Sequence, residues 1–285
     1  MMLGLTCTTL AAAADLDLTQ VGSWPEMELL NGNNVAVVGR YALVTGGTKI
    51  SPGVYPGLCV FDVGDAAPPR LVGSLNIMGG GPIAVRGNHA FVADWGRMLV
   101  VDISDPPHPR LVSVFDTPGN DLTVTVGGSY AYLGSIQGNE YDVRIINISD
   151  PVNPRAVGKY TTTNSNYGSA LAADGAFLCL LSNRSDETGD TATLDVVDVH
   201  DPAAPRKLGT YETPGSANAM AVSAGRAYLA PWTFNQAGTW LYKVEVIDLS
   251  DPAGPKPIGA YSLTPLAGGD GLTDILAIKW GHNWS

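Results

Sequence analysis

Cysteine is scarce in this 285-residue chain: there are three, Cys7, Cys59 and Cys179, and no CxxC pair of the kind that holds zinc. Cys59 and Cys179 fall in different repeats of the pattern described below, so a disulfide framework is not expected. Charge is also sparse at 15%, and positive charge most of all: 16 Lys and Arg stand against 27 Asp and Glu, a formal net charge of −11. Such a chain repels a phosphate backbone, and no basic patch stands out, so nucleic acid is not an expected partner. No apolar run is long enough to span a bilayer. Phosphate-binding and dinucleotide-binding glycine motifs are absent in their proper context. Gly127-Gly128-Ser129 superficially resembles a nucleophile elbow, but it sits on a repeated hairpin without the strand–turn–helix setting that motif needs.

What the sequence has in quantity is apolar residues, 45%, with 34 Gly and 20 Pro. That composition excludes disorder, and breakers at regular intervals mean many turns and short strands. A chain of this length is normal for one large all-β domain and buries about three quarters of its unfolded surface.

The first residues, Met1 to Ala14, are small and apolar and end in four alanines. They read as the end of a secretory signal peptide, although a positive n-region is missing. Export to an extracellular, periplasmic or cell-surface location is expected on that basis, with the folded domain over residues 15–285.

Five segments line up at intervals of roughly 40–50 residues. They are Leu58-Cys59-Val60-Phe61-Asp62, Met98-Leu99-Val100-Val101-Asp102, Val143-Arg144-Ile145-Ile146-Asn147, Leu194-Asp195-Val196-Val197-Asp198 and Val244-Glu245-Val246-Ile247-Asp248. Each is followed three residues on by Asp65, Asp105, Asp150, Asp201 or Asp251, then by a proline and a basic residue: Arg70, Arg110, Arg155, Arg206 or Lys256. The segments are apolar on both faces, which predicts strands buried on both sides. The Asp-Pro element ends each strand, because proline breaks a ladder and Asp caps turns. Upstream lies a hairpin whose second strand begins Ala42-Leu43, Ala90-Phe91, Ala131-Tyr132, Ala176-Phe177 or Ala227-Tyr228. Its first strand carries small residues in one column: Ala36, Ala84, Thr125, Ala170 and Ala221. Small residues suit innermost strands that crowd a central axis. Each repeat is therefore four strands, a-b-c-d, one propeller blade.

These segments resemble the LVIVD repeat family, most closely at Leu99-Val100-Val101-Asp102-Ile103-Ser104-Asp105-Pro106, and the resemblance runs over about residues 18–284. It implies an all-β fold, a β-propeller of four-stranded antiparallel blades. The repeat implies no particular reaction. Five complete blades are expected, plus a partial sixth. Val21-Gly22-Ser23-Trp24 matches an outer d strand, Leu276-Ala277-Ile278 an inner a strand, and Asn283-Trp284 the start of a b strand. The c strand of that blade is missing, so C-terminal truncation is expected.

From the end of strand c to the next Ala-led pair the spacing is 28, 29, 29 and 29 residues. From that pair to the end of strand c it is 20, 12, 16, 22 and 21, so length varies in the b–c connections. Variable loops on a rigid scaffold are where binding residues gather. The candidates there are Asp94, Trp95, Tyr141, Asp186, Trp232, Phe234 and Trp240, an aromatic and acidic rim suited to a protein, peptide or carbohydrate. The plainer reading is that the aromatics pack on neighbouring blades. Near the start of strand a, Asn34, Asp121, Asn166, Asn218 and Asp274 recur; they are candidates for a calcium site at the channel mouth, or simply turn caps. The repeated acids at the ends of the c strands read as turn caps paired with the basic column, since catalysis needs one site and not a copy in every blade. His89, His108, His200 and His282 all map to the opposite, uniform face, which disfavours a histidine-based centre among the variable loops. The expected function is an exported, non-enzymatic binding scaffold without cofactor. The alternative is a lactonase-like propeller hydrolase using the calcium-type site.

Overall fold

The computed structural model describes residues 28–49, 56–64, 68–78, 80–137, 140–162, 167–187, 189–234 and 240–263. They form five four-stranded antiparallel sheets, each with its strands in sequence order, as propeller blades are built. Blade 1 comprises β1 (Glu28–Val38), β2 (Tyr41–Lys49), β3 (Gly57–Asp62) and β4 (Arg70–Asn76). Blade 2 comprises β5 (Ile83–Arg86), β6 (His89–Ala93), β7 (Arg97–Asp102) and β8 (Arg110–Asp116). Blade 3 has β9 (Asn120–Gly127), β10 (Tyr130–Gln137), β11 (Glu140–Asn147) and β12 (Arg155–Thr162). Blade 4 has β13 (Tyr167–Asp174), β14 (Phe177–Asp186), β15 (Gly189–Asp198) and β16 (Arg206–Pro214). Blade 5 has β17 (Ser216–Ser223), β18 (Arg226–Phe234), β19 (Trp240–Asp248) and β20 (Lys256–Leu263). The expected leader and the pieces of a sixth blade lie outside the described residues.

Blades 1–3 belong to one compact unit, residues 20–162, and blades 4 and 5 to another. Within each unit the first strands of successive blades touch, β1 with β5 and β5 with β9, and β13 with β17. That is the inner position expected for strand a.

The apolar character of strand c on both faces has a direct cause. Its first and third residues pack forward and its second and fourth pack backward. Leu58 and Val60 of blade 1 meet Leu99 and Val101 of blade 2. Met98 and Val100 then meet Ile146 of blade 3. In the other unit Leu194 and Val196 meet Ile247. Each such side chain, once buried, contributes on the order of 1.5–3 kcal/mol.

Two repeated features were not visible in the spacing. The c–d ladder carries a bulge between the third and fourth residues of strand c in every blade: Val60/Phe61, Val100/Val101, Ile145/Ile146, Val196/Val197 and Val246/Ile247. Beside it on strand d is a small residue. In blade 1 it is Gly73, where a Cβ would lie 2.4 Å from the Pro106 carbonyl oxygen of blade 2. In blade 2 it is Ser113, whose hydroxyl donates to the Pro151 carbonyl of blade 3 at 2.7 Å. In blade 4 it is Gly209, where a Cβ would lie 2.5 Å from the Pro252 carbonyl oxygen of blade 5. The Asp-Pro turns of blades 2, 3 and 5 thus each sit on the outer strand of the blade before.

One alignment is corrected. Blade 4 pairs Phe177 with Asp198 and Leu178 with Val197, as Tyr130 pairs with Asn147 and Ala131 with Ile146 in blade 3. Leu178, not Ala176, therefore holds the Ala131 position, and Ala172, opposite Cys179, holds that of Ala36. The two-residue turn Gly175-Ala176 fixes this register.

Candidate functional site

In blades 3 and 4 the b–c connections are long because strands extend, not because loops swell. In blade 4 the ladder runs without interruption to the pair Asp186–Gly189, so residues read as a polar loop from Asn183 to Asp190 are mostly paired strand. In blade 3 it runs to Gln137–Glu140, which places Tyr141 and Asp142 in β11. Polar residues at alternating positions sustain these hairpins, since one face meets solvent.

This relocates several candidates. Tyr141 is fully buried, and its hydroxyl lies 2.8 Å from Thr123 Oγ1. A Cβ at Gly134 would collide with that phenol, so glycine there makes room for a packed ring. Asp94 is 2% exposed and accepts two hydrogen bonds from the Arg97 guanidinium, at 2.9 and 3.1 Å. It anchors a turn and presents no free carboxylate. Asp186 is exposed at the tip of its hairpin and pairs with Arg184 at 3.2 Å. Trp232 is half-buried in β18, Phe234 is 58% exposed at its end, and Trp240 begins β19 opposite Phe234.

Trp95 stands apart. Asp94 and Arg97 exchange both backbone hydrogen bonds across it, which closes a two-residue hairpin. Trp95 has φ of +35° and Gly96 of +84°, a conformation that favours glycine or asparagine. The indole is nevertheless 81% exposed. A bulky residue in left-handed backbone, with its ring in water, is uncommon enough to ask for a function. The turn is held from below by the Asp94–Arg97 ion pair and from the side by Thr117 N–H donating to Gly96 O at 2.7 Å.

The calcium candidates are placed as follows. Asn34 lies well inside β1, opposite Thr45, where the ladder shifts register between Leu30 and Asn34. Asn218 is exposed at a similar irregularity in β17 between Ala217 and Met220. Neither starts its strand. Asp121 pairs with Ser135 in the β9–β10 ladder. Asn166 and Asp274 lie outside the described residues. Among the described residues no group of three or more His, Cys, Asp or Glu is arranged to hold a metal ion. The β17 irregularity is bridged by Asn183: its amide donates to Ala217 O at 3.0 Å, and its carbonyl accepts from Ala217 N–H at 2.9 Å.

The acids that end the c strands are architectural. Asp62, Asp102, Asp198 and Asp248 each accept a backbone N–H two residues on, from Gly64, Ser104, His200 and Ser250. Asn147 does the same for Ser149, which shows that the cap needs an oxygen and not a charge. Asp102 also receives Arg110 at 2.6 Å, and Asp198 receives Arg206 at 3.0 Å. The bonds from Ser104 and Arg110 lower the Asp102 carboxyl from the ordinary 3.8 to about 2. Cys59 and Cys179 are buried, and burial pushes their thiols up to about 11 and about 12, away from nucleophile chemistry. His108 and His200 lie in c–d turns and His89 beside an a–b turn; His282 is outside the described residues.

Blades of this construction define a β-propeller-type repeat protein. The LVIVD repeat model matches residues 81–117, 118–162 and 189–213, which are blades 2 and 3 and the c–d half of blade 4. Among solved structures, a chain in the crystal structure of a nidogen/laminin complex is similar, with 14% identity over 80% of this chain and 78% of that one and a TM-score of 0.52. A functionally unknown protein from Desulfotomaculum acetoxidans DSM 771 is similar with 12% identity, 84% and 74% coverage and a TM-score of 0.62. These likenesses are of fold. No curated protein matches the chain.

Proposed function

We propose that this chain is an exported, non-enzymatic binding scaffold, and that the b–c face of its blades contacts a partner macromolecule, a protein, peptide or carbohydrate. One observation carries the reading: Trp95 spends conformational energy at a two-residue turn to hold its indole in solvent. A tryptophan of this kind supplies large contact area at little entropic cost and dominates recognition where it occurs. The rigid support under the turn keeps the ring in place before binding, which lowers the ordering cost on association.

The test is a parallel screen of wild type and Trp95→Gly against immobilised glycans and a peptide library. Glycine suits the backbone at this position, so the variant keeps its fold. Ligands bound by the wild type should lose about 30-fold in affinity or more, the scale of a tryptophan hot spot. Identical binding profiles for the two proteins would refute the reading.

A further inference from the structure

We propose that the surface around Trp95 takes a basic segment of a partner polypeptide, with an arginine or lysine side chain of that partner seated on the exposed indole. The inference rests on the recognition role argued above for this face, and it names the chemistry of the partner.

Three connections of the residue 20–162 unit meet at this surface. Blade strands run antiparallel in sequence order, so the b–c and d–a connections lie at the same end. Trp95 tips the β6–β7 hairpin, 81% exposed. The connection from β4 to β5 exposes Met78 and reaches the hairpin where Ala93 N–H donates to Pro82 O at 2.9 Å. The connection from β8 to β9 exposes Pro118, next to the Thr117 N–H that holds Gly96 O. An indole, a thioether and a pyrrolidine ring therefore stand in solvent at one end of neighbouring strands.

The charges of the same unit are divided unevenly between its two ends. At the end carrying the c–d turns, Arg40, Arg70, Arg86, Arg110 and Arg155 stand against Asp62, Asp65, Asp102, Asp105 and Asp150, an even balance. At the Trp95 end, even with the mid-strand Arg144 and Lys159 counted in, Lys49, Arg97, Arg144 and Lys159 stand against Glu28, Asp94, Asp116, Asp121, Glu140 and Asp142. The surplus is negative. Three of these cations already have acidic neighbours. Arg97 gives its guanidinium to Asp94, Lys159 gives Nζ to Asp142 at 3.1 Å, and Lys49 lies opposite Glu28 in the β1–β2 ladder. Asp116 and Glu140 are exposed and form no ion pair with a described residue. Asp116 is the cross-strand partner of Arg97, at the foot of the Trp95 hairpin.

These features select one ligand chemistry. The face of an indole attracts a cation through its quadrupole, more strongly than any other side chain does. Arg97, turned to Asp94, makes no contact with the ring and leaves it open. The free carboxylates draw the same charge from a distance and speed its arrival. The aliphatic stem of a lysine or arginine covers apolar surface while its head stays polar, which suits Met78 and Pro118 beside the ring. A neutral glycan could stack on Trp95 but would gain nothing from the surplus charge, and an acidic segment would be repelled.

The test is an immobilised library of random heptapeptides, acetylated and amidated so that only side chains carry charge, probed with the full chain. Retained peptides should be enriched in arginine and lysine. The strongest arginine peptide is then measured by fluorescence anisotropy beside its citrulline counterpart, which keeps the shape and removes the charge. Citrulline should weaken binding about three-fold or more, the scale of a cation on an exposed ring. Trp95→Gly should weaken the arginine peptide at least about ten-fold. Asp116→Asn, at an exposed and unpaired site, should weaken it about two-fold and flatten its salt dependence. Enrichment of neutral or acidic peptides, equal binding of the citrulline form, or an empty library overturns the basic partner. If neutral glycans bind instead and are lost in Trp95→Gly, the scaffold reading stands while this one falls. Basic peptides bound equally by Trp95→Gly overturn the site itself.

Discussion

Gly73, Gly209 and Gly259 occupy one repeat position on strand d, yet substitution by alanine should affect them differently. A Cβ at Gly73 would lie 2.4 Å from Pro106 O and 2.8 Å from Pro107 O. At Gly209 it would lie 2.5 Å from Pro252 O and 2.8 Å from Ala253 O. These obstacles are backbone, fixed by the Asp-Pro turn of the next blade, and cannot swing aside as a side-chain tip does. Overpacking of this kind costs about 1–3 kcal/mol. At Gly259 nothing among the described residues lies within 4 Å of that Cβ, so alanine there meets no clash with them. It should be neutral, or stabilising by roughly 0.4–1 kcal/mol, because the unfolded chain loses freedom. Ser113 shows how the position accepts a Cβ: its hydroxyl donates to Pro151 O at 2.7 Å. Gly73→Ser should accordingly lose less than Gly73→Ala if the turn can retreat by the same amount. Urea denaturation followed by circular dichroism measures all four variants, with thermal midpoints as a check; about 2–4 °C per kcal/mol is the expected scale for a chain of this size. If Gly73→Ala and Gly209→Ala fall within about 0.5 kcal/mol of Gly259→Ala, the ordinary range of a neutral surface change, the account of blade-to-turn packing is refuted.

Other substitutions probe separate features. Ala224 has φ of +52°, at the turn position that Gly39, Gly87, Gly128 and Gly175 fill in the other blades. Ala224→Gly should therefore stabilise by about 1 kcal/mol, read from the urea midpoint. Glu245 is 7% exposed and receives Lys243 at 2.7 Å, Thr213 at 3.1 Å and Tyr211 at 3.3 Å. Glu245→Ala strands those groups and should cost about 2 kcal/mol, less than a fully buried pair because Lys243 still reaches water. Asp102 is lowered to about 2, and Asp62, Asp198 and Asp248 are lowered too, so these groups stabilise the fold above the unfolded carboxylate value. That contribution should be lost as the pH falls from about 4 through about 2, and Asp102→Asn should flatten its share of the loss while keeping the Asn147-type cap. An acid titration by circular dichroism checks this; an unchanged slope in Asp102→Asn counts against it.

The repeat unit was legible in the sequence because its determinants are local. Val100-Val101-Asp102 needs only its own alternation to mark a strand buried on both sides, and Asp105-Pro106 only its own chemistry to end it. The capping role of Asp62, Asp102, Asp198 and Asp248 followed from the same reasoning. Trp95 could be named as a rim residue from spacing alone, but its left-handed backbone and its exposure depend on where the ladder stops. Tyr141 illustrates the converse. Its sequence neighbours are polar, yet strand extension carried it inside, against Thr123 and over Gly134. Spacing placed the blade 4 hairpin two residues out because a two-residue turn, not the alanine count, fixes its register. What only the tertiary structure decided are relations between blades: the Asp-Pro turn resting on Gly73, Ser113 or Gly209. A residue's own strand says which way its side chain points. Only the neighbouring blade says what it meets there, and that neighbour is dozens of residues away in the chain.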